Sequence, residues 1–168
     1  LGNHNNEIGL PLTCFTFDKD TQIAVLEMGI AAPGEMDQLT DIVNPDVAVI
    51  TNIGVTHMEI LGSREGIFRE KTKILRNLQK KGLAVLCGDD DMLCQVEETG
   101  EARMISFGLD SGNLVSAIDI KSKGLLGTEF TIKSIEEHID GIRAFIKIPG
   151  KHMVVNALAA AAIGSHFG

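Results

Sequence analysis

Near residue 110 the hydrophobic pattern of this chain changes character. Before that point, apolar runs of strand length alternate with stretches of helical period. Unbroken Val/Ile/Leu runs mark parallel strands covered on both faces. Residues 22–27, 47–51, Leu83–Cys87 and Arg103–Phe107 are predicted as such strands. Between the first two, the Pro33-Gly34 break precedes a short helix at Glu35–Val43 with acidic residues in its first turn. A long helix is predicted between the second and third, from Ser63 as N-cap to Gly82 as C-cap. The acidic run Asp89-Asp90-Asp91 follows the third strand and is placed to cap a helix over 91–97.

Beyond residue 110, apolar and polar positions alternate one by one in 114–121, Thr128–Ser134 and 141–148. Turn signals at Lys123-Gly124 and Asp140-Gly141 join these into a small antiparallel meander within 112–149, exposed on one face. An Ala-rich helix over roughly 153–163 closes the chain, and residues 2–14, rich in Gly and Asn, read as a loop. Strand–helix repeats followed by an antiparallel addition give an α/β fold with a mostly parallel sheet flanked by helices. The 168 residues fit one domain.

Open α/β sheets bind ligands just past the carboxyl ends of their strands. Glu27 and His57 fall there, the first closing Ala24-Val-Leu-Glu-Met-Gly29, the second closing Val47-Ala-Val-Ile-Thr-Asn-Ile-Gly-Val-Thr-His57. Glu27 fits a Mg²⁺ ligand at a strand end, or a cap of the Met28-Gly29 turn. His57 fits a metal-side group or an exposed loop histidine. The apolar stripe of the long helix, Ile67, Phe68, Ile74, Leu75 and Leu78, is interrupted by Lys71. A lysine in that slot either snorkels to solvent or is chemically used. The three aspartates at 89–91 read as a metal site or as caps.

Charge and composition narrow the classes. A formal net charge of -8 excludes a broad phosphate-backbone or anionic-membrane surface. Three cysteines without a CxxC pair predict buried thiols in a reducing cytoplasm rather than a disulfide framework. No apolar run reaches transmembrane length. The phosphate-cradling G-x-x-x-x-G-K-[ST] loop is not found: at Gly150-Lys151, Phe145 stands in the first glycine position and His152 follows the lysine. The chain starts without Met inside a Gly/Asn phrase, which predicts a piece of a longer protein.

Several phrases together resemble the Mur ligase family. They are Gly2-Asn3-His4-Asn5-Asn6-Glu7-Ile8-Gly9-Leu10-Pro11-Leu12-Thr13, Glu27-Met28-Gly29, Thr51-Asn52-Ile53-Gly54-Val55-Thr56-His57, and Gly150-Lys151-His152 with Asn156-Ala157-Leu158-Ala159-Ala160. They occur in the family's order and span the chain. The resemblance implies a central ATP-binding domain, with the P-loop, the N-terminal UDP-binding domain and the C-terminal domain outside these residues. The opening phrase looks most like the branch that joins D-alanyl-D-alanine to UDP-N-acetylmuramoyl-tripeptide, using ATP and two Mg²⁺ ions. By the same resemblance Glu27 is a Mg²⁺ ligand, and His57 lies near the second Mg²⁺. Lys71, fourteen residues after His57, is the carbamylated lysine that helps place that metal. Asn6 belongs to the phosphate and substrate side, and Asn156 reads the adenine edge. Met153, where the family often has asparagine, is a departure. Alternative readings are a ligase extending a folate or poly-amino-acid chain, and a non-catalytic module that has lost its P-loop. Without a P-loop the chain alone is expected to be inactive, and without the strand that carries it, prone to self-association.

Overall fold

The computed structural model describes residues 3–78, 81–97 and 99–168. Six strands form one mixed sheet in sequential order: β1 (Val47–Ile50), β2 (Leu83–Cys87), β3 (Arg103–Phe107), β4 (Val115–Ser122), β5 (Thr128–Ser134) and β6 (Arg143–Ile146). β1, β2 and β3 run parallel, with Val47 opposite Leu83 and Leu83 opposite Arg103. A single parallel pair, Phe107 with Val115, carries the sheet into β4, and β4–β5–β6 then run antiparallel. The predicted meander is therefore a continuation of the main sheet. A bulge between Ile118 and Lys121 puts Asp119 at φ 53 and bends β4.

All five residues of β2 are buried, as an unbroken apolar run requires. One layer over the sheet is α5 (Lys151–Phe167), which inserts Val154, Leu158, Ala159 and Ala162 into the core. It is longer than the sequence pattern suggests, because Gly164 does not break the helix. The tighter 3₁₀ segment Thr72–Asn77 packs on β1 and joins it to α2 (Glu35–Val43) and α4 (Arg64–Lys71), which also touch each other. Two short helices, α1 (Gly9–Cys14) and α3 (Met58–Leu61), complete the set. Fully buried Leu83, Leu86, Ile105, Phe107 and Ile67 anchor the centre. Among the described residues no helix is long and apolar enough to cross a membrane.

The structure departs from the sequence pattern in four places. Residues 22–27 form no regular element, and Ile23 and Val25 are 64% and 93% exposed. A strand needs a hydrogen-bonded neighbour, and among the described residues none lies alongside. The long helix stops early: Ser63 caps α4 by accepting from Gly66, but Leu78 is already extended (ψ 134). Thr72 donates its hydroxyl to the Phe68 carbonyl and so competes with the helical ladder where the coil tightens. Gly82 is thus no cap; its carbonyl accepts from Arg103 beside the start of β2, and residues 79–80 of the predicted helix lie outside the described set. The helix over 91–97 shrinks to one 3₁₀ turn, Leu93–Gln95, as Val96 turns extended. Finally, part of the predicted loop 2–14 is the turn α1, initiated by Asn6, whose Oδ1 accepts from Gly9 and Ile8.

Candidate functional site

Three loops, two of them following β1 and β2 at the sheet's rim, are each pinned by side chains. The first carries Glu27. Asn5 Nδ2 donates to Glu27 Oε1 at 2.8 Å and Asn3 Nδ2 to the same oxygen at 3.0 Å. The Gly29 N–H donates to the Asn5 carbonyl at 2.8 Å, tying the two segments together. Gly29 is also where Asn5 lies closest: a Cβ there would stand 2.7 Å from Asn5 Nδ2. The Glu-Met-Gly phrase thus has a local reason, since a side chain at 29 would push Asn5 away from the carboxylate. Further along, Glu35 accepts from the Ala31 and Ala32 N–H groups, which hold its carboxyl below the ordinary range, with a smaller contribution from His57.

Buried Glu70 locks this loop to α4. Its Oε1 accepts from Gly34 at 2.8 Å and from Met36 at 3.1 Å, at the start of α2. Its other oxygen pairs with Lys73 at 2.8 Å, and Lys73 also reaches Asp37 at 2.7 Å.

The second loop, 51–57, ends on His57, an exposed residue in the left-handed region (φ 67). Glu35 lies within electrostatic reach of this histidine. Lys71, half-buried at the end of α4, donates from Nζ to the Asn52 carbonyl at 2.8 Å. Burial pushes its amine below the usual lysine value, with Asp90 opposing the shift. Lys71 therefore stands at the rim with no carboxylate partner among its described hydrogen bonds.

The acidic run is the third loop, and each aspartate has a structural use. Asp89 accepts from Leu109, Asp110 and Asn113 across the sheet end. Asp90 caps the 3₁₀ turn through Met92 and Leu93 and also accepts from Ile53. Asp91 pairs with Arg64. Asp90 rather than Asp91 is the cap. Among the described residues no three His, Cys, Asp or Glu side chains gather into a ready metal cluster.

The sequence-predicted residues thus fall into two sets. Lys71, at the end of α4, is tied to the 51–57 loop that ends on His57, while Glu27 is held by Asn3 and Asn5. Asn6 spends its oxygen capping α1, and Asn156 is exposed on α5, its amide 4.0 Å from Met153 Sδ. Sequence reading passed over Asn3, Asn5, Asn52, Arg64 and Glu70, and did not separate Asp90 from its two neighbours as cap or metal site. Each of those five has a partner 19 to 36 positions away, so no local signal marked it. For the implied Mg²⁺, Glu27 suits a hard cation: it is exposed, acidic, and among the described residues held by neutral amides on one oxygen.

Comparison with known proteins bears on the same segments. Residues 1–164 match the family model for the Mur ligase middle domain. The UDP-N-acetylmuramoyl-tripeptide–D-alanyl-D-alanine ligase of Bacillus subtilis (strain 168) is 46% identical over 167 residues, covering 99% of this chain and 35% of that protein. Its Escherichia coli (strain K12) counterpart is 30% identical, covering 99% and 36%. A crystal structure of MurF from Acinetobacter baumannii superposes over 100% of this chain and 36% of its own, at TM-score 0.90 and 32% identity. MurF ligase from Thermotoga maritima in complex with ADP superposes over 100% and 38%, at TM-score 0.84 and 28% identity. The chain spans about a third of the length of these curated relatives.

Proposed function

From the premise that this chain belongs to the Mur ligase family, through its middle domain, we propose that it is the ATP-binding core of a cytoplasmic ligase of peptidoglycan precursor synthesis. The full-length protein joins D-alanyl-D-alanine to UDP-N-acetylmuramoyl-tripeptide at the expense of ATP. Relatives carrying that name match from end to end of the chain, at up to 46% identity among those described. The ADP complex of the Thermotoga maritima protein supports nucleotide use on this fold.

Amide formation from a carboxylate needs activation, and phosphoryl transfer to it yields an acyl phosphate that an amine can attack. Two anions must first be brought together, and Mg²⁺ when bound supplies the compensating charge. Glu27 would hold one ion, with Asn3 and Asn5 fixing the carboxylate. His57 and a carbamylated Lys71 would serve the other. The observation that carries this role for Lys71 is its Nζ at 2.8 Å from a neutral carbonyl, half-buried, with the amine pushed toward its uncharged form. A neutral amine takes up CO₂ and a solvated ammonium does not. Asn156 and Asn6 are assigned to the nucleotide and substrate sides, the first with its amide exposed on α5. The P-loop pattern does not occur in the 168 residues, so this segment by itself is assigned no ATP turnover.

The test is phosphate release by the full-length protein with ATP, Mg²⁺, UDP-N-acetylmuramoyl-tripeptide and D-alanyl-D-alanine. Release that depends on all four supports the assignment. Release only with a different amino acid or with a folate overturns it.

A further inference from the structure

The peptide unit between Asn52 and Ile53 is held at both of its poles. Its carbonyl, on Asn52, accepts from Lys71 Nζ at 2.8 Å. Its N–H, on Ile53, donates to Asp90 Oδ2 at 2.8 Å. In a trans peptide the C=O and N–H point in opposite directions, so fixing one fixes the other. Turning this unit over would aim a carbonyl at the Asp90 carboxylate and an N–H at the Lys71 amine, leaving both contacts repulsive. The anionic acceptor also polarises the unit and strengthens its carbonyl as an acceptor.

We propose that Asp90 is a positioning residue, which orients the Asn52–Ile53 peptide so that its carbonyl holds the Lys71 amine at the rim. The next carbonyl along braces the same stretch: Ile53 O accepts from Arg64 Nε at 3.3 Å and Nη2 at 3.1 Å. Arg64 is held in turn by both oxygens of Asp91. Arg64 opens α4 and Lys71 closes it, so the helix grips this loop at both ends. Ile53 is itself buried, which leaves the strand-to-loop junction no freedom to drift. Asp90 has its second oxygen committed to Met92 and Leu93, which makes it a rigid post rather than a mobile surface acid. The proposal rests on the reading of Lys71 as a reaction group only for its catalytic consequence.

The test uses the full-length protein with ¹³C-labelled lysine ε-carbons. In Asp90→Asn, the Lys71 signal leaves its wild-type position, and kcat falls at least about tenfold while KM for ATP stays within about twofold. Asp89→Asn, in the same acidic run but bonded to the 109–113 loop, leaves both readouts at wild-type values. A folded Asp90→Asn protein with an unmoved Lys71 signal overturns the proposal, whatever its rate. Should that variant not fold, the wild-type protein decides: a through-hydrogen-bond coupling between the Ile53 nitrogen and the Asp90 carboxyl carbon is expected, and its absence overturns the proposal. Failure of the wild-type protein to release phosphate strikes the ligase assignment alone, because the Lys71 signal needs no substrate.

Discussion

Gly29 lies directly beneath the Asn5 side chain, so close that a methyl group at position 29 would meet Asn5 Nδ2 at 2.7 Å. That contact lets the Asn5 amide reach Glu27 Oε1 at 2.8 Å while the Gly29 N–H holds the Asn5 carbonyl. Gly29→Ala is therefore expected to displace Asn5 and loosen Glu27 without unfolding the sheet. Activity of the full-length protein should fall about tenfold, equivalent to ~1.4 kcal/mol, the scale of one hydrogen bond to a charged group. Steady-state kinetics beside a thermal melt would show the loss with the melting temperature little changed. A wild-type rate would mean that Asn5 does not support the carboxylate.

Glu70 offers a prediction about stability. Its buried carboxylate satisfies two N–H groups at the start of α2 and pairs with Lys73. Glu70→Ala strands those groups and should cost about 3 kcal/mol in urea denaturation. Glu70→Gln, which keeps an acceptor for Gly34 and Met36, should lose less. Equal losses for the two variants would assign the effect to packing instead.

Stability should also fall in acid, and the sign follows from the depressed carboxyls. Glu35, bonded to Ala31 and Ala32, and Asp140, bonded to Ser134 and Lys133, both titrate below their ordinary values of 4.5 and 3.8. A carboxyl depressed in the folded state stabilises it above the unfolded-state value, and the contribution is lost as pH falls through the folded one. The melting temperature should hold from neutral pH to about 5 and then decline. Glu35→Gln together with Asp140→Asn should flatten that decline. An acid limb of unchanged steepness in the double variant would trace the loss to other carboxylates.

How much of this was legible beforehand depended on whether the deciding contact was local. β2 is a buried apolar run, and such a run can hardly be anything else in a strand–helix series. Residues 22–27 have equally strand-like composition, yet composition does not reveal whether a neighbour exists to pair with. Thr72 ends the regular part of the predicted long helix through one hydroxyl bond that no hydrophobic period reports. In the site, Lys71 stood out because it broke an apolar stripe. Asp90 did not: its partner Ile53 lies 37 positions away, and the identical side chains on either side have theirs 20 and 27 positions away. Asn5 and Asn6 posed the same problem: one supports Glu27 and its neighbour caps α1, a division set by tertiary contact alone.

The isolated 168-residue segment should self-associate. Phe15, Ile23 and Val25 are 85%, 64% and 93% exposed, and among the described residues no strand covers the outer edge of β1. Unpaired edges beside apolar surface favour association. Light scattering across a concentration series should show a rising average mass, and Val25→Lys should reduce the rise. A monodisperse monomer at high concentration would remove this expectation.

Lys71 gives the most direct test of the account as a whole. In the full-length protein, Lys71→Ala should abolish most phosphate release, and short carboxylic acids, which mimic a carbamate, should restore part of it in a saturable manner. A Lys71→Ala protein running at the wild-type rate would contradict the account, as would one whose lost activity no carboxylic acid recovers.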